Sequence, residues 1–194
     1  MTARCELILG GQKSGKSRRG EQLAAAWLAA SPAHRAVLVA TAQAHDDEMR
    51  ERIARHRAER RVRVPRLETV EEPCYLAEAL LALNAPDTLV VVDCLTLWLT
   101  NLLMPHGAQN HEPDQAPPPT APAEIATLLL ALREAQGPVV VVGNEIGLGV
   151  IPMGREVRAF VDTLGMLNQQ VAAACDRVTL MAAGLPLTLK DESR

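Results

Sequence analysis

"GGQKSGKSRRGE" occupies Gly10–Glu21, directly after the apolar run Leu7-Ile8-Leu9. It leads into "SRRGEQLAAAWLAA", a stretch of helical character. Gly10, four residues, then Gly15-Lys16-Ser17 is the spacing of a loop that cradles phosphates between a strand and a helix. The glycines leave enough backbone bare for N–H groups to approach a phosphate chain. Gln12, Lys13 and Ser14 complete the loop after Gly11. Lys16, read as an exposed loop lysine, reaches the β- and γ-phosphates. The Ser17 hydroxyl offers a ligand to Mg²⁺, and the helix that follows turns its positive end toward the same anion. The plain alternative is a glycine-rich turn with an exposed Lys and Ser.

Outward from this loop, continuous apolar runs recur at 5–10, 36–42, 88–93, 137–145 and 177–184. They are rich in Val and Leu and lack polar alternation, as expected of strands buried on both faces of a parallel sheet. Helical stretches fall between them, at about 17–30, 46–61, 73–83, 95–104, 123–135 and 155–175. Alternating strands and helices predict an α/β fold in one domain spanning 1–194, with a mostly parallel central sheet flanked by helices. "LPLTLK" (185–190) pairs back through Gly184 as a C-terminal edge hairpin. Residues 105–122 break the pattern with Pro, Gln and His and read as a flexible insertion. His106 and His111 lie there, without the Cys or paired carboxylates a metal site needs.

The 194 residues suffice for one domain with a proper core, and 48% hydrophobic content excludes disorder of the whole chain. Aromatics are 2%, so the core is aliphatic. A net charge of -3 gives no support to a nucleic-acid surface. No apolar run is long enough to span a bilayer, and the N-terminus leads straight into the phosphate loop and does not read as a signal peptide. Cys5, Cys74, Cys94 and Cys175 form no C-x-x-C pair. They read as reduced, mostly buried thiols of a cytoplasmic protein.

"TLVVVD" ends in Asp93. A carboxylate there sits at the carboxyl edge of the sheet, where open α/β folds bind ligands, and suits Mg²⁺. It also suits a cap on the next helix, and both roles can hold together. The second strand delivers Thr41 to the same edge. Asp46, Asp47 and Glu48 then open a helix, where negative charge suits the dipole. That helix turns basic, with eight arginines between Arg50 and Arg66. The cluster reads either as a solvated face or as a phosphate clamp. His56 shares an i, i+4, i+7 face with Met49 and Ile53, which should turn toward the protein. A packed histidine and a nucleophile flanked by phosphate-neutralising arginines are the two readings.

These stretches together resemble one family: the bifunctional adenosylcobinamide kinase / adenosylcobinamide-phosphate guanylyltransferase of cobalamin (vitamin B12) synthesis. The resemblance rests on "LGGQKSGKSR", "VATAQAHDDEMRERIARHR", "VVDCLTLWLTNLL", "VGNEIGLGVIP" and "GMLNQQVAAACDRVTLMAAGLPLTLK", in the family's order over nearly the whole chain. It implies phosphoryl transfer from ATP or GTP to adenosylcobinamide. It further implies GMP transfer from GTP, through a histidine, to adenosylcobinamide phosphate. His56 matches the nucleotide-accepting histidine; His45 ranks below it. The family's GTP contacts fall on Gly10–Ser17, on Ala40, Thr41 and Ala42, on Arg57, Ala58, Glu59 and Arg60, and on Glu68 and Asp93. Lys16 joins His56 as catalytic, and Ser17 and Asp93 as metal ligands. "NEIGLGVIP" (144–152) looks like the family's substrate-side loop. A RecA-like P-loop fold and a homotrimer are implied as well.

The sequence departs from the family in places. Gln12-Lys13 stands where the family commonly has Ala-Arg, Arg55 where some relatives carry a first histidine, and the 105–122 insertion is long. Two other readings compete with this one: a P-loop kinase of another small alcohol, and a GTP-dependent switch, each with His56 structural.

Overall fold

The computed structural model describes residues 4–44, 46–104 and 120–192. His45, His106, His111 and positions 105–119 of the insertion lie outside these residues. Thr120 is described and precedes a helix, so the last positions of the 105–122 stretch belong to an element.

Six parallel strands form the sheet: β1 (Cys5–Gly10), β2 (Arg35–Ala40), β3 (Leu67–Glu71), β4 (Thr88–Asp93), β5 (Val139–Val142) and β6 (Arg177–Ala182). A seventh, β7 (Leu185–Asp191), runs antiparallel to β6 as the expected edge hairpin. The order is β3-β2-β4-β5-β1-β6-β7, so the strand that feeds the phosphate loop lies inside the sheet. The helices are α1 (Lys16–Ala30), α2 (Asp47–Arg63), α3 (Leu76–Ala82), α4 (Leu95–Leu103), α5 (Ala121–Glu134) and α6 (Arg155–Ala174).

Alternation within the strands explains their unbroken apolar runs. Leu7, Leu9, Val90, Val92, Val139 and Val141 point to one face, under Leu76, Trp98, Leu99, Leu128, Leu132 and Leu167 of α3–α6. Ile8, Leu38, Leu89, Val91, Val140 and Val142 point to the other, under Ala24 and Leu28 of α1. With apolar partners on both sides, no strand position in the middle of the sheet can afford a polar residue. Glu6 of β1 and Thr179 of β6 are exceptions that satisfy each other: the Thr179 hydroxyl donates to the Glu6 carboxylate (2.8 Å), which also lies 3.8 Å from Arg19.

Three expectations need correction. β3 was not among the expected strands; its sequence "LETVE" alternates and all but Leu67 are exposed, so it lacks the apolar run that marks the others. The helix expected from 73 begins at Leu76, because the Glu72 carboxylate accepts from the N–H groups of Cys74 and Tyr75 and holds them in a turn. Cys5 and Cys175 are disulfide-bonded; only Cys74 and Cys94 are free thiols. The two half-cystines stand 170 residues apart in sequence, but β6 lies beside β1, which brings the cap of α6 to the start of β1.

Candidate nucleotide site

The phosphate loop is set by three left-handed residues, Gly10 (φ 152°), Lys13 (φ 55°) and Gly15 (φ 99°). At Gly10 the constraint is also steric: a Cβ there would lie 2.5 Å from the Met181 carbonyl oxygen and 2.7 Å from Ser14 Oγ. The loop is braced from both neighbouring strands. The Glu145 N–H donates to the Gly10 carbonyl (3.2 Å), and the Gly184 N–H in the β6–β7 turn donates to the Ser14 carbonyl (3.1 Å).

Lys16 is the first residue of α1 and is buried, contrary to its reading as an exposed loop lysine. Its ammonium donates to the Gly11 carbonyl at 2.6 Å, because the loop folds back over it. Burial pushes its pKa below the usual lysine value, while Cys94 and Asp93 act in the opposite direction.

The two expected metal ligands meet. The Ser17 hydroxyl hydrogen-bonds the Asp93 carboxylate at the end of β4. Desolvation raises the Asp93 pKa above the ordinary carboxylate value; Ser17, Arg60 and His56 pull the other way. A hydroxyl and a carboxylate, desolvated together beside a phosphate-type loop, are a donor set suited to a hard divalent cation.

At the end of β2, Ala40 and Ala42 are half-buried, and Thr41 is wholly buried. The Thr41 hydroxyl donates to the Cys94 carbonyl and accepts from the Cys94 N–H, both at 2.8 Å, and its carbonyl accepts from Asn101 Nδ2 at 2.8 Å. These bonds pin the strand ends that carry the site. Glu68 stands apart. It pairs in register with Val37, short of the carboxyl edge, and its carboxylate takes Arg35 at 3.3 Å.

Helix α2 lies at the same edge. Asp46 caps it, accepting from the Met49 N–H at 2.7 Å. Met49 and Ile53 are half-buried, but His56 is exposed, so the inward face expected of all three stops short of the histidine. The reason is that α2 does not pack on the core: Arg60 is its only buried residue. His56 nonetheless lies close enough to Asp93 for its charge to act on that carboxyl. Arg57 pairs with Glu71 at the end of β3, Glu59 with Arg63 at 3.2 Å, and Ala58 is exposed. Arg60 feels both Glu21 and Asp93 and has no ion pair within 4 Å among the described residues. Desolvation lowers its pKa, and its cation is available to a phosphate.

The structure thus brings together the loop, Lys16, Ser17, Asp93, Arg60 and the His56 face of α2. Two residues at this edge were not anticipated, Glu21 and Glu71; Glu145 lies in the 144–152 stretch read as the substrate-side loop. Glu21 stands one turn after Ser17, a spacing that puts it on the same helix face; nothing else in the sequence sets it apart.

A phosphate loop at the carboxyl edge of a mostly parallel sheet, with a hydroxyl–carboxylate pair and a cationic helix over it, defines a nucleotide-binding phosphotransferase of the P-loop class. Residues 6–189 match the family model described as cobinamide kinase / cobinamide phosphate guanyltransferase, and the chain belongs to that family of bifunctional enzymes. It is 45% identical over 188 residues to the bifunctional adenosylcobalamin biosynthesis protein CobP of Pseudomonas aeruginosa, covering 96% of this chain and 98% of the relative. It is 37% identical to the bifunctional adenosylcobalamin biosynthesis protein CobU of Escherichia coli, covering 95% and 98% respectively. Among solved structures, the flagellar accessory protein FlaH of Methanocaldococcus jannaschii has the same type of fold. Its TM-score is 0.52 at 11% identity, over 97% of this chain and 78% of that one.

Proposed function

We propose that this enzyme first phosphorylates the aminopropanol hydroxyl of adenosylcobinamide with ATP or GTP. It then transfers GMP from GTP, through His56, to adenosylcobinamide phosphate. The observation that carries this reading is the presence of two kinds of group at one sheet edge: a phosphate loop with Lys16 for the triphosphate, and a histidine on a cationic helix within electrostatic reach of Asp93.

Lys16 neutralises charge on the phosphoryl group in flight. Ser17 and Asp93 would hold Mg²⁺, which when bound would withdraw charge from the phosphate oxygens. In the second reaction a neutral imidazole nitrogen of His56 attacks the α-phosphorus of GTP. A P–N bond forms, the bond to the bridging oxygen breaks, and pyrophosphate leaves with the electron pair. A phosphate oxygen of adenosylcobinamide phosphate then attacks the same phosphorus, and the P–N bond breaks to give adenosylcobinamide-GDP. Arg60 and Arg57 offset the charge that builds up on the phosphates. Exposure of His56 suits this role, since the acceptor must reach the phosphorus that the histidine carries.

The wider reading is of a single-domain, cytoplasmic homotrimer using nucleoside triphosphates. One continuous sheet with a core on each face supports the single domain. No helix among the described residues is long and apolar enough to cross a membrane.

The test is intact-protein mass spectrometry after incubation with GTP. Wild type gains one acid-labile GMP, and His56→Ala gains none but still phosphorylates adenosylcobinamide. An adduct that persists in His56→Ala, or vanishes only in His45→Ala, moves the nucleophile elsewhere.

A further inference from the structure

Helix α2 carries the proposed nucleophile, yet the apolar core does not hold it. Its only buried residue is an arginine, and none of its residues belongs to either core cluster. The position of the helix is therefore set by polar links. The strongest comes from outside the phosphate loop: Glu21, in the second turn of α1, takes Arg63 of α2 in a two-point clasp. Arg63 Nε donates to Oε2 at 2.7 Å, and Nη2 donates to Oε1 at 3.2 Å. The Glu21 side chain is only 4% exposed, and this bond is the largest influence holding the Arg63 guanidinium in its charged form. A planar fork on a buried carboxylate fixes direction as well as distance.

Spacing carries this clasp to the histidine. His56 precedes Arg63 by seven residues, two helical turns, so the two side chains lie on one stripe of α2, about 10 Å apart along its axis. On the α1 side, Glu21 follows Ser17 by four residues and shares its face. One helix thus carries both Lys16 and Ser17, the proposed triphosphate contacts, and Glu21, which holds the histidine helix. A carboxylate buried this deeply without apolar benefit to the fold is costly unless it is paired, and its partner lies on the element that has to be aimed.

We infer that Glu21 is a positioning residue for guanylylation: through Arg63 it aligns His56 with the α-phosphorus of the GTP that α1 holds. The inference rests on the covalent reading of His56 given above. It predicts a split between the two activities. Phosphoryl transfer needs the loop and the Ser17–Asp93 pair, whereas attack by His56 needs α2 in register, where misplacement by about 1 Å costs about 100-fold.

The experiment measures, in the same preparations, the rate of GMP incorporation from α-labelled GTP and the rate of adenosylcobinamide phosphorylation. The proteins are wild type, Glu21→Gln, Arg63→Met, the double variant and His56→Ala, each with its melting curve. Glu21→Gln is expected to lower GMP incorporation about tenfold or more beyond any fall in phosphorylation. Arg63→Met, at a residue 35% exposed and thus less dangerous to the fold, is expected to give the same split. The double variant should be no worse than either single one, because each breaks the same clasp. Equal losses in both activities, or wild-type labelling in Arg63→Met, overturn the positioning role while leaving His56 in place. No label on wild type, or label retained by His56→Ala, overturns the covalent reading and this inference with it.

Discussion

Asp93 holds the sharpest conflict at the scale of single residues. Desolvation raises its pKa even though Ser17, Arg60 and His56 favour the charged form. A carboxyl with a raised folded pKa binds its proton more tightly when folded than when unfolded. Its contribution to stability is present at low pH and is lost as pH rises from the ordinary carboxylate value through the raised one. Asp93→Asn removes that loss. At neutral pH the nucleotide-free variant should melt above wild type, with a weaker dependence on acid pH, while phosphoryl transfer falls about 100-fold or more. Calorimetry across the acid range, paired with the kinase rate, checks this. An unchanged or lower melting point in Asp93→Asn would mean that the fold already satisfies the carboxylate. The places of Lys16, Ser17 and Asp93 at junctions of strand and helix were legible, the first two from the loop spacing and Asp93 as the end of an apolar run; the burial of Lys16 was not. Glu68 was not, since its place depends on the register of β3 against β2, which hands its carboxylate to Arg35. Glu21 looks like any helical glutamate until α2 is laid against α1.

Of the three left-handed residues that set the phosphate loop, Gly10 is the most tightly constrained. Gly10 combines a left-handed φ with a Cβ position 2.5 Å from backbone at Met181, an atom that cannot swing aside. Gly10→Ala should therefore destabilise the protein by about 1–3 kcal/mol from backbone strain alone. It should also weaken triphosphate binding more than it weakens the fold, because relief of the clash moves the loop and not β6. Denaturant melts together with nucleotide titration by calorimetry decide the matter; unaltered affinity in a folded Gly10→Ala would show that the loop holds no phosphate. The strand–loop–helix unit was readable from spacing, and so were the sheet strands with apolar partners on both sides. The exposed strand β3 was hidden because two of its five residues are charged and its apolar residues do not run together. α2 was read as amphipathic from the Met49–Ile53–His56 spacing, but its seven arginines leave too little apolar surface to seat it, and it is held by Glu21 and Glu71.

Across the whole molecule, the described surface is not uniformly polar. Beyond β5, Leu148, Val150, Ile151 and Met153 are 81%, 96%, 76% and 94% exposed, and Val150 and Ile151 border, with α6, a cavity of about 470 Å³. The stretch starts at Glu145, which braces the phosphate loop, so this apolar surface adjoins the site. Contiguous apolar side chains at such exposure mark a surface that is covered in use. The alternation that revealed the sheet says nothing about such a loop, whose apolar residues "IGLGVIP" read from sequence as a substrate-side segment and from structure as an unshielded patch. We propose that a second copy covers it in the homotrimer. Val150→Glu/Ile151→Glu should then reduce the mass measured by light scattering from three times the 20.9 kDa of one chain to that of one chain, without lowering the monomer's own melting point, since neither side chain contributes to the core. An unchanged mass with a raised KM for adenosylcobinamide would assign the patch to the acceptor and not to a neighbouring subunit. The subunit contact would then have to be sought at Leu185, Leu187 and Leu189, the exposed alternate residues of the edge strand β7.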